Sequence, residues 1–186
     1  MMNISILRIP DVKVFTSPKY SDNRGWFSES YNQKHFVESG IDVKFLQDNH
    51  SYSSNVGTVR GLHYQSPPYA QDKLVRVLRG AILDVAVDFR NGSPTKGQWV
   101  SAELSAMNGS QLFVPVGFLH GFITLEPDTE VAYKVSDFYS KECEGSVRWN
   151  DNDLGIDWGE YSEMAALSDK DAVAPFYKDV TSPFQY

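Results

Sequence analysis

The chain contains very little cysteine. Cys143 is the single cysteine among its 186 residues, so no internal disulfide can form and no cysteine-rich zinc site can be built. A domain of this length buries about 70% of the surface that its unfolded chain exposes, which is enough for stability without a metal or a disulfide. A lone cysteine is typical of a reducing compartment, and we therefore expect a cytoplasmic protein.

The sequence also lacks long apolar runs and an excess of positive charge. No stretch approaches the roughly 20 apolar residues that a membrane-spanning helix needs, and the first residues carry no basic region ahead of an apolar core. Lys and Arg number 17 against 24 Asp and Glu, which gives a formal net charge of −7. A broad nucleic-acid footprint is not expected at this charge. We expect neither a membrane nor nucleic acid as a partner.

Short strand patterns separated by glycine and proline make up most of the chain. Residues 82–89, ILDVAVDF, alternate four apolar side chains on one face with Asp84 and Asp88 on the other, which is typical of a β-strand. Residues 98–104 and two segments within residues 108–125 also have strand patterns. A two-turn helix is predicted after an Asn32 cap. With no repeat or linker, we predict one all-β domain over residues 1–186, a sandwich or jelly roll with a few short peripheral helices.

Reactive side chains concentrate in residues 57–80, GTVRGLHYQSPPYAQDKLVRVLRG. This segment holds one histidine and four cations, namely Arg60, His63, Lys73, Arg76 and Arg79. Because two prolines in its middle cannot continue a central strand, we predict a β-hairpin. Histidine exchanges protons near neutral pH, and cations beside it can hold an anionic substrate. The segment therefore suggests catalysis, although a strand histidine is more often a packed or solvent-facing residue than a catalyst.

Three other segments combine polar and aromatic residues. Alternation over residues 24–32 puts Glu29 between two rings, where it either faces solvent on an edge strand or accepts hydrogen bonds from a ring that carries N–H groups. The polar string at residues 47–50 is a turn or a recognition edge, and a turn is the commoner outcome. Alternation over residues 130–139 predicts a strand with Tyr133 and Tyr139 on the same face.

Residues 109–120, GSQLFVPVGFLH, resemble the second signature of the cupin superfamily. In the first cupin signature, Gly57 and His63 match, but Gln65 stands where a second histidine is expected, and Tyr69 or Ala70 stands where a glutamate is expected. A borderline metal ion needs several imidazole or carboxylate ligands, so the two remaining histidines alone make a weak site. We therefore predict no metal and expect these histidines to bind substrate or move protons.

The likeness extends beyond a generic cupin. RGLHYQ, PPYAQDKLVRV, GAILDVAVDFRNGSPTKGQW, VPVGFLHGF, RWND and LSDKD occur in one order, and over roughly residues 25–171 they resemble the dTDP-4-dehydrorhamnose 3,5-epimerase family. The resemblance implies a cupin jelly-roll homodimer without a cofactor. It further implies an isomerase that inverts carbons 3 and 5 of dTDP-4-dehydro-6-deoxy-D-glucose, giving dTDP-4-dehydro-L-rhamnose in dTDP-rhamnose biosynthesis.

The same resemblance implies a catalytic set. His63 is the implied base and Asp171 the carboxylate that orients it, with Asp84 as the alternative orienting group. Inversion requires the new proton to arrive on the opposite face of the sugar, and Tyr133 is the implied acid. Lys73 is the implied cation beside the oxygen on which the enolate charge collects.

A second set is implied in substrate binding. Arg24 and Arg60 match contacts to the nucleotide or its diphosphate, and Tyr139 matches the ring that stacks on thymine. Recognition of the base and its attached groups falls to Glu29, Gln47 and Asn49, and the set is completed by His120, Glu144 and Lys170. Arg60 and His63 are three residues apart, so an ideal strand would aim them at opposite faces, unless a bulge at Gly61 reconciles them.

Three other functions compete with this interpretation. One is a single-site epimerase of a related dTDP-ketosugar, acting at carbon 3 or carbon 5 alone. Another is a metal-dependent cupin that uses His63 and His120, and the last is a cupin that binds a sugar nucleotide without catalysis. The shape of the pocket, which the sequence does not supply, separates the first of these from the double epimerase.

Overall fold

The computed structural model describes residues 2–186 and consists mainly of β-strands. Two short α-helices, α1 (Gln33–Glu38) and α2 (Asp169–Ala172), and two single-turn 3-10 helices lie outside the sheets. The strands are β1 (Asn3–Ile6), β2 (Lys13–Thr16), β3 (Tyr20–Asp22), β4 (Gly25–Phe27), β5 (Gln47–Ser53), β6 (Val59–Gln65), β7 (Lys73–Arg79), β8 (Ala81–Asp88), β9 (Trp99–Ser105), β10 (Ser110–Val114), β11 (Phe118–Thr124), β12 (Thr129–Val135) and β13 (Glu144–Ser146).

Eleven of these strands form two antiparallel sheets. The order is β1-β2-β10-β7-β12-β5 in the six-stranded sheet and β13-β6-β11-β8-β9 in the five-stranded sheet, while β3 and β4 form a separate hairpin. Consecutive strands often belong to different sheets, as in a jelly roll. The predicted all-β jelly roll with a few short helices is confirmed. Within residues 2–186, no helix is long and apolar enough to cross a membrane.

The β-hairpin predicted over residues 57–80 is wrong. β6 pairs with β11 and β13 in the five-stranded sheet, whereas β7 pairs with β10 and β12 in the six-stranded sheet. The proline-containing segment between β6 and β7 therefore crosses from one sheet to the other. His63 and Lys73 consequently lie on opposing sheets.

The space between the sheets is an apolar core with a polar end. Alternate residues of β8 face different environments, as the pattern of this strand predicts. Ile82 and Ala86 pack in the interior, while Val85 and Val87 pack on the outer face of the five-stranded sheet. That outer face is covered by the C-terminal part of the chain, including Trp149, Trp158 and Phe184. A third cluster, built on Phe15 and Phe36, covers part of the six-stranded sheet.

Local predictions agree with the structure to different degrees. α1 begins after Asn32, whose side chain accepts the Lys34 N–H, as predicted. The strand predicted over residues 24–32 stops at Phe27, because β4 pairs only with β3. Residues 47–50 are part of β5 rather than a turn, and this strand pairs along its whole length with β12. β12 ends at Val135, so the strand predicted to reach Tyr139 is too long.

Candidate active site

A histidine–aspartate pair lies at the polar end of the interior. The Nε2–H of His63 on β6 donates to Oδ1 of Asp171 at 2.6 Å, and the carboxylate also accepts the N–H of Gly61. Burial raises the pKa of Asp171, but the hydrogen bond and charge of His63, together with hydrogen bonds from Ser168 and Gly61, outweigh this effect and leave the pKa below its usual value. Asp171 is therefore an anion that holds the imidazole in one tautomer, with Nδ1 available as a base.

The position of Asp171 follows from a helix cap. Ser168 is the N-cap of α2, and its Oγ accepts the N–H of Asp171. Asp171 is 4% exposed although it lies in a four-residue helix near the surface. Sequence reasoning did not single out Ser168, yet a serine three residues before an aspartate in LSDKD is a recognisable capping signal.

A bulge in β6 brings Arg60 and His63 to the same face. His63 pairs with His120, and Arg60 pairs with Phe122, so three steps along β6 match two steps along β11. Gly61 adopts φ +128°, and a Cβ there would lie 2.6 Å from the Cα of Gly121. The bulge at Gly61, which the sequence left open, is present, and it explains how both side chains reach one cavity.

The opposing sheet supplies Tyr133 and Lys73. Tyr133 on β12 and Lys73 on β7 line the same cavity of about 460 Å³ as His63. Burial raises the pKa of Tyr133, with Glu144 adding to the effect and Arg60 opposing it. Burial also lowers the pKa of Lys73 to about 8, although Asp84 and Glu144 act in the other direction. The phenol is therefore a protonated donor at neutral pH, and Lys73 is an ammonium ion below about pH 8.

A second histidine–aspartate pair lies beside the first. His120 donates from Nε2 to Oδ1 of Asp84 at 2.7 Å, and both residues are buried. His120 and His63 face each other in the register of β11 and β6. Because Asp84 is paired with His120 and Asp171 with His63, the alternative in which Asp84 orients His63 does not match the geometry.

A polar network surrounds a smaller adjoining cavity of about 130 Å³. Glu144 forms an ion pair with Lys170 of α2 and accepts a hydrogen bond from the Tyr139 hydroxyl at 3.2 Å. Gln47 accepts the N–H of Tyr139 at 3.1 Å and donates to Asn49 at 2.9 Å. These predicted binding residues therefore meet at one end of the main cavity, and Tyr139 is exposed there.

The loop that carries Tyr139 is held by a residue that sequence reasoning treated only as a missing metal ligand. Gln65 is buried, and its amide donates to the carbonyl of Phe138 at 2.9 Å and accepts the N–H of Ser140 at 2.8 Å. The amide of Gln65 has one N–H to donate to the carbonyl and one oxygen to accept the N–H. An imidazole at this position could pair with both groups only in one tautomer. The departure from the cupin signature thus has a structural role.

Two predicted binding residues lie outside both cavities. Arg24, in the β3–β4 turn, is highly exposed and pairs with Asp22 at 2.6 Å. Glu29 accepts a hydrogen bond from Asn32 at 3.0 Å and lies 3.2 Å from His35. A single chain therefore does not bring Arg24 and Glu29 to the remaining eleven predicted site residues, all of which line the two cavities.

His63 and His120, the two histidines that match the cupin signatures, each form a hydrogen bond from Nε2 to an aspartate. Residues 2–186 contain no group of three or more His, Cys, Asp or Glu side chains arranged to hold a metal ion.

Comparison with known proteins agrees with this geometry. Residues 6–179 match the family described as dTDP-4-dehydrorhamnose 3,5-epimerase. A protein of that name from Sinorhizobium fredii is 49% identical over 185 residues, which cover 100% of this chain and 94% of the relative. Crystal structures of two relatives superpose closely. The epimerase from Legionella pneumophila, solved in complex with dTDP-4-keto-L-rhamnose, has a TM-score of 0.94 at 44% identity and covers 100% of this chain and 99% of its own.

The other structure is the epimerase from Bacillus anthracis with TDP and pyrophosphate bound. Its TM-score is 0.91 at 47% identity, and the match covers 95% of this chain and 99% of that one. Similarity in both sequence and structure thus extends over nearly the full length of each relative. The chain belongs to the dTDP-4-dehydrorhamnose 3,5-epimerase family.

Proposed function

We propose that this protein is an isomerase that converts dTDP-4-dehydro-6-deoxy-D-glucose to dTDP-4-dehydro-L-rhamnose by inverting carbons 3 and 5. One observation carries the proposal. His63 on the five-stranded sheet, paired with Asp171 of α2, and Tyr133 on the six-stranded sheet line the same cavity. A base and an acid on opposing walls are what inversion at a carbon requires, because one proton leaves from one face and another arrives on the other.

The first step is removal of a proton from a carbon beside the C4 ketone. Nδ1 of His63 takes this proton, and Asp171 stabilises the imidazolium that forms. The electrons of the broken C–H bond move into the ring and on to the C4 oxygen, which gives an enolate. Lys73 provides the positive charge that stabilises this oxyanion. At such a site, one well-placed hydrogen-bond donor stabilises the transition state by roughly 3 kcal/mol.

The second step returns a proton to the same carbon from the opposite face. The Tyr133 hydroxyl supplies it, and the enolate reverts to the ketone. Each inversion leaves His63 protonated and Tyr133 ionised, so both groups exchange with solvent before the next carbon reacts. The same residues then act at the second carbon, and no redox step or cofactor takes part.

Substrate binding falls to the residues around the two cavities. Arg60 and Lys170 provide charge for the diphosphate, for which a guanidinium gives paired hydrogen bonds. Tyr139 is exposed at the mouth and offers a ring for stacking on thymine. The polar contacts to the base and sugar come from Gln47, Asn49, His120 and Glu144.

We also propose that the active form is a homodimer in which the partner supplies Arg24 and Glu29. Both residues lie outside the cavities of their own chain, and the adjacent β3–β4 hairpin exposes Tyr20, Trp26 and Phe27 at 60%, 61% and 70%. Exposed aromatic groups on one element are typical of a protein interface. Within each protomer, we propose that residues 1–186 form one domain, because the two sheets share one interior. A free Cys143 is compatible with our assignment to the cytoplasm.

The test is to incubate the protein with dTDP-4-dehydro-6-deoxy-D-glucose in deuterated water and to analyse the product by NMR. The double epimerase gives the L-rhamno product with one deuterium at C3 and one at C5. Incorporation at one carbon alone would identify a single-site epimerase instead. Binding of dTDP without any deuterium incorporation would identify a protein that only binds the nucleotide.

A further inference from the structure

One buried carboxylate beside the site, Asp84, has no role in the proposed reaction. Asp84 is 0% exposed, and its Oδ1 accepts the Nε2–H of His120. Two buried side-chain polar atoms of residues 2–186 have no hydrogen-bond partner, namely Asp84 Oδ2 and Ser51 Oγ. Ser51 lines the main cavity, so a ligand can reach it, but Asp84 does not line the cavity. A buried carboxylate oxygen without a partner is costly and requires a compensating positive charge nearby.

Lys73 is the cation of the cavity on which the charge of Asp84 acts. Asp84 and Glu144 are the two anions whose charge acts on Lys73. Glu144 already forms an ion pair with Lys170 and accepts a hydrogen bond from Tyr139. Among the ion pairs of the described residues, Asp84 has one partner, His120, and no arginine or lysine. Asp84 therefore holds His120 through a hydrogen bond and acts on Lys73 through its charge, and His120 and Lys73 line the cavity from opposite sheets.

We propose that Asp84 is a positioning residue of this site, which fixes the orientation of His120 and keeps Lys73 an ammonium ion beside the enolate oxygen. This inference rests on the proposed epimerase function. The Nε2–H of His120 is bound to Asp84, so Nδ1 is the ring atom left for the substrate. Asp84 touches no substrate itself and acts through its two neighbours, whereas Asp171 serves His63 in the neighbouring pair.

Several other charged or titratable groups line the cavity with Lys73, and the test must separate Asp84 from them. They are Arg60 and His63 of β6, His120 of β11, Tyr133 of β12, Glu144 of β13, and Lys170 and Asp171 of α2. Unlike the anions Glu144 and Asp171, Asp84 is linked neither to α2 nor to the mouth of the cavity. Removing its charge alone therefore changes the electrostatics of Lys73 and His120 while the other pairs remain.

Asp84→Asn keeps the shape of the side chain and an oxygen for His120 but removes the charge. Because the carboxylate raises the pKa of Lys73, its loss lowers that pKa, and Lys73 deprotonates at a lower pH. The alkaline limb of kcat/KM, expected near pH 8 in the wild type, should move down by about one pH unit. The loss of kcat/KM relative to wild type should therefore grow about sixfold between pH 6.5 and pH 8.5, with dTDP affinity unchanged.

Asp88→Asn is a matched control on the same strand. Asp88 is also 0% exposed and lies four residues further along β8, but its carboxylate is satisfied by Arg90, Ser93 and Thr95, and it lines neither cavity. This variant should lower the midpoint of thermal unfolding and leave the pH profile in place. A pH profile that moves equally in both variants would overturn the role of Asp84.

The wild-type enzyme separates this inference from the proposed function. If the wild type does not epimerise the substrate, the proposed function fails. If it does, and Asp84→Asn keeps the wild-type pH profile, the inference about Asp84 fails alone. A measurement on the wild type covers the case in which the variant does not fold. Long-range ¹H–¹⁵N NMR should show a hydrogen on Nε2 of His120, and an unprotonated Nε2 would overturn the proposal as well.

Discussion

At the scale of single residues, two opposing sheets hold the proposed base, His63, and the proposed acid, Tyr133. Asp171 is an anion whose hydrogen bond occupies Nε2 of His63, so the base has one free nitrogen. Tyr133 has a raised pKa and remains protonated at neutral pH, ready to donate. The same two groups can serve both carbons, because each is reset by exchange with solvent.

Asp171→Asn should reduce kcat far more than it reduces binding. The amide keeps the size of the carboxylate but can present an N–H to the ring, which favours the wrong tautomer of His63 and no longer stabilises an imidazolium. We expect kcat to fall by a factor on the order of 10³ to 10⁴. Steady-state kinetics and calorimetric titration with dTDP check this. A tenfold or greater loss of dTDP affinity would instead show that Asp171 holds the binding site together.

Tyr133→Phe should separate proton removal from inversion. His63 remains in place, so the enolate still forms and solvent deuterium still enters at the carbon beside the ketone. Delivery of a proton from the opposite face is lost, so the recovered sugar should carry deuterium but remain largely uninverted. The rate of epimer formation should fall by a factor of about 10² or more. NMR of the recovered substrate tests this. Unlabelled substrate would show that Tyr133 is needed for the first step.

At the scale of elements, the bulge in β6 decides whether the cavity forms. Gly61→Ala adds a Cβ that would lie 2.6 Å from the Cα of Gly121 and 2.8 Å from the carbonyl oxygen of His120, at a φ of +128° that other residues rarely adopt. We expect a loss of about 3 kcal/mol or more in the free energy of unfolding. Activity should fall as well, because Arg60 and His63 lose their common face.

Gly92→Ala is the control for that substitution. Gly92 also has a positive φ, +80°, but a Cβ there meets nothing within 4 Å. The loss in the free energy of unfolding then comes from the left-handed backbone conformation alone and is about 1–2 kcal/mol. Chemical denaturation of both variants compares them directly. Equal destabilisation would mean that contact between β6 and β11 is not what requires glycine at position 61.

The elements also indicate what a sequence can predict. The alternation of β8 and the Asn32 cap are local signals, and the strand and the helix start predicted from them are confirmed. The sheet to which each strand belongs depends on contacts between distant residues, so β6 and β7 looked like a hairpin although they lie in different sheets. The strand β5 was not predicted over its polar residues 47–50, because the alternate side chains that point inward face the cavity rather than an apolar core.

The candidate site was predictable to the extent that its motifs are specific to a family. Nothing in the alternation of β12 shows that Tyr133 faces His63, because that depends on how the sheets stack. Tyr139 reaches the site through a loop held by Gln65, beyond the end of the strand that was thought to carry it. Asp84 was considered only as an alternative partner of His63, because its bond to His120 joins residues 36 positions apart in the chain. The bond between Ser168 and Asp171 is local, so the Ser168 cap was within reach of the sequence.

At the scale of the whole molecule, the positions of Arg24 and Glu29 make a prediction about assembly. Both lie outside the cavities of their own chain, and the hairpin beside them exposes three aromatic side chains. If a partner's Arg24 completes each site, His63→Ala and Arg24→Ala are defects in different halves of one composite site. A mixed dimer of the two variants then contains one intact site and one site with both defects.

Random pairing of equal amounts of the two variants makes half of the dimers mixed, and each has one intact site of two. Co-expression of His63→Ala with Arg24→Ala should therefore restore about a quarter of the wild-type activity, well above the sum of the separate variants. The measurement is kcat/KM of the co-expressed mixture and of the mixed dimer isolated through two different tags, which should reach about half of the wild-type value because one of its two sites is intact, with light scattering to establish its mass. Because His63→Ala alone cannot remove a proton and Arg24→Ala alone binds the nucleotide weakly, recovered activity requires a site built from two chains. Activity no greater than that of Arg24→Ala alone would mean that each chain builds its own site.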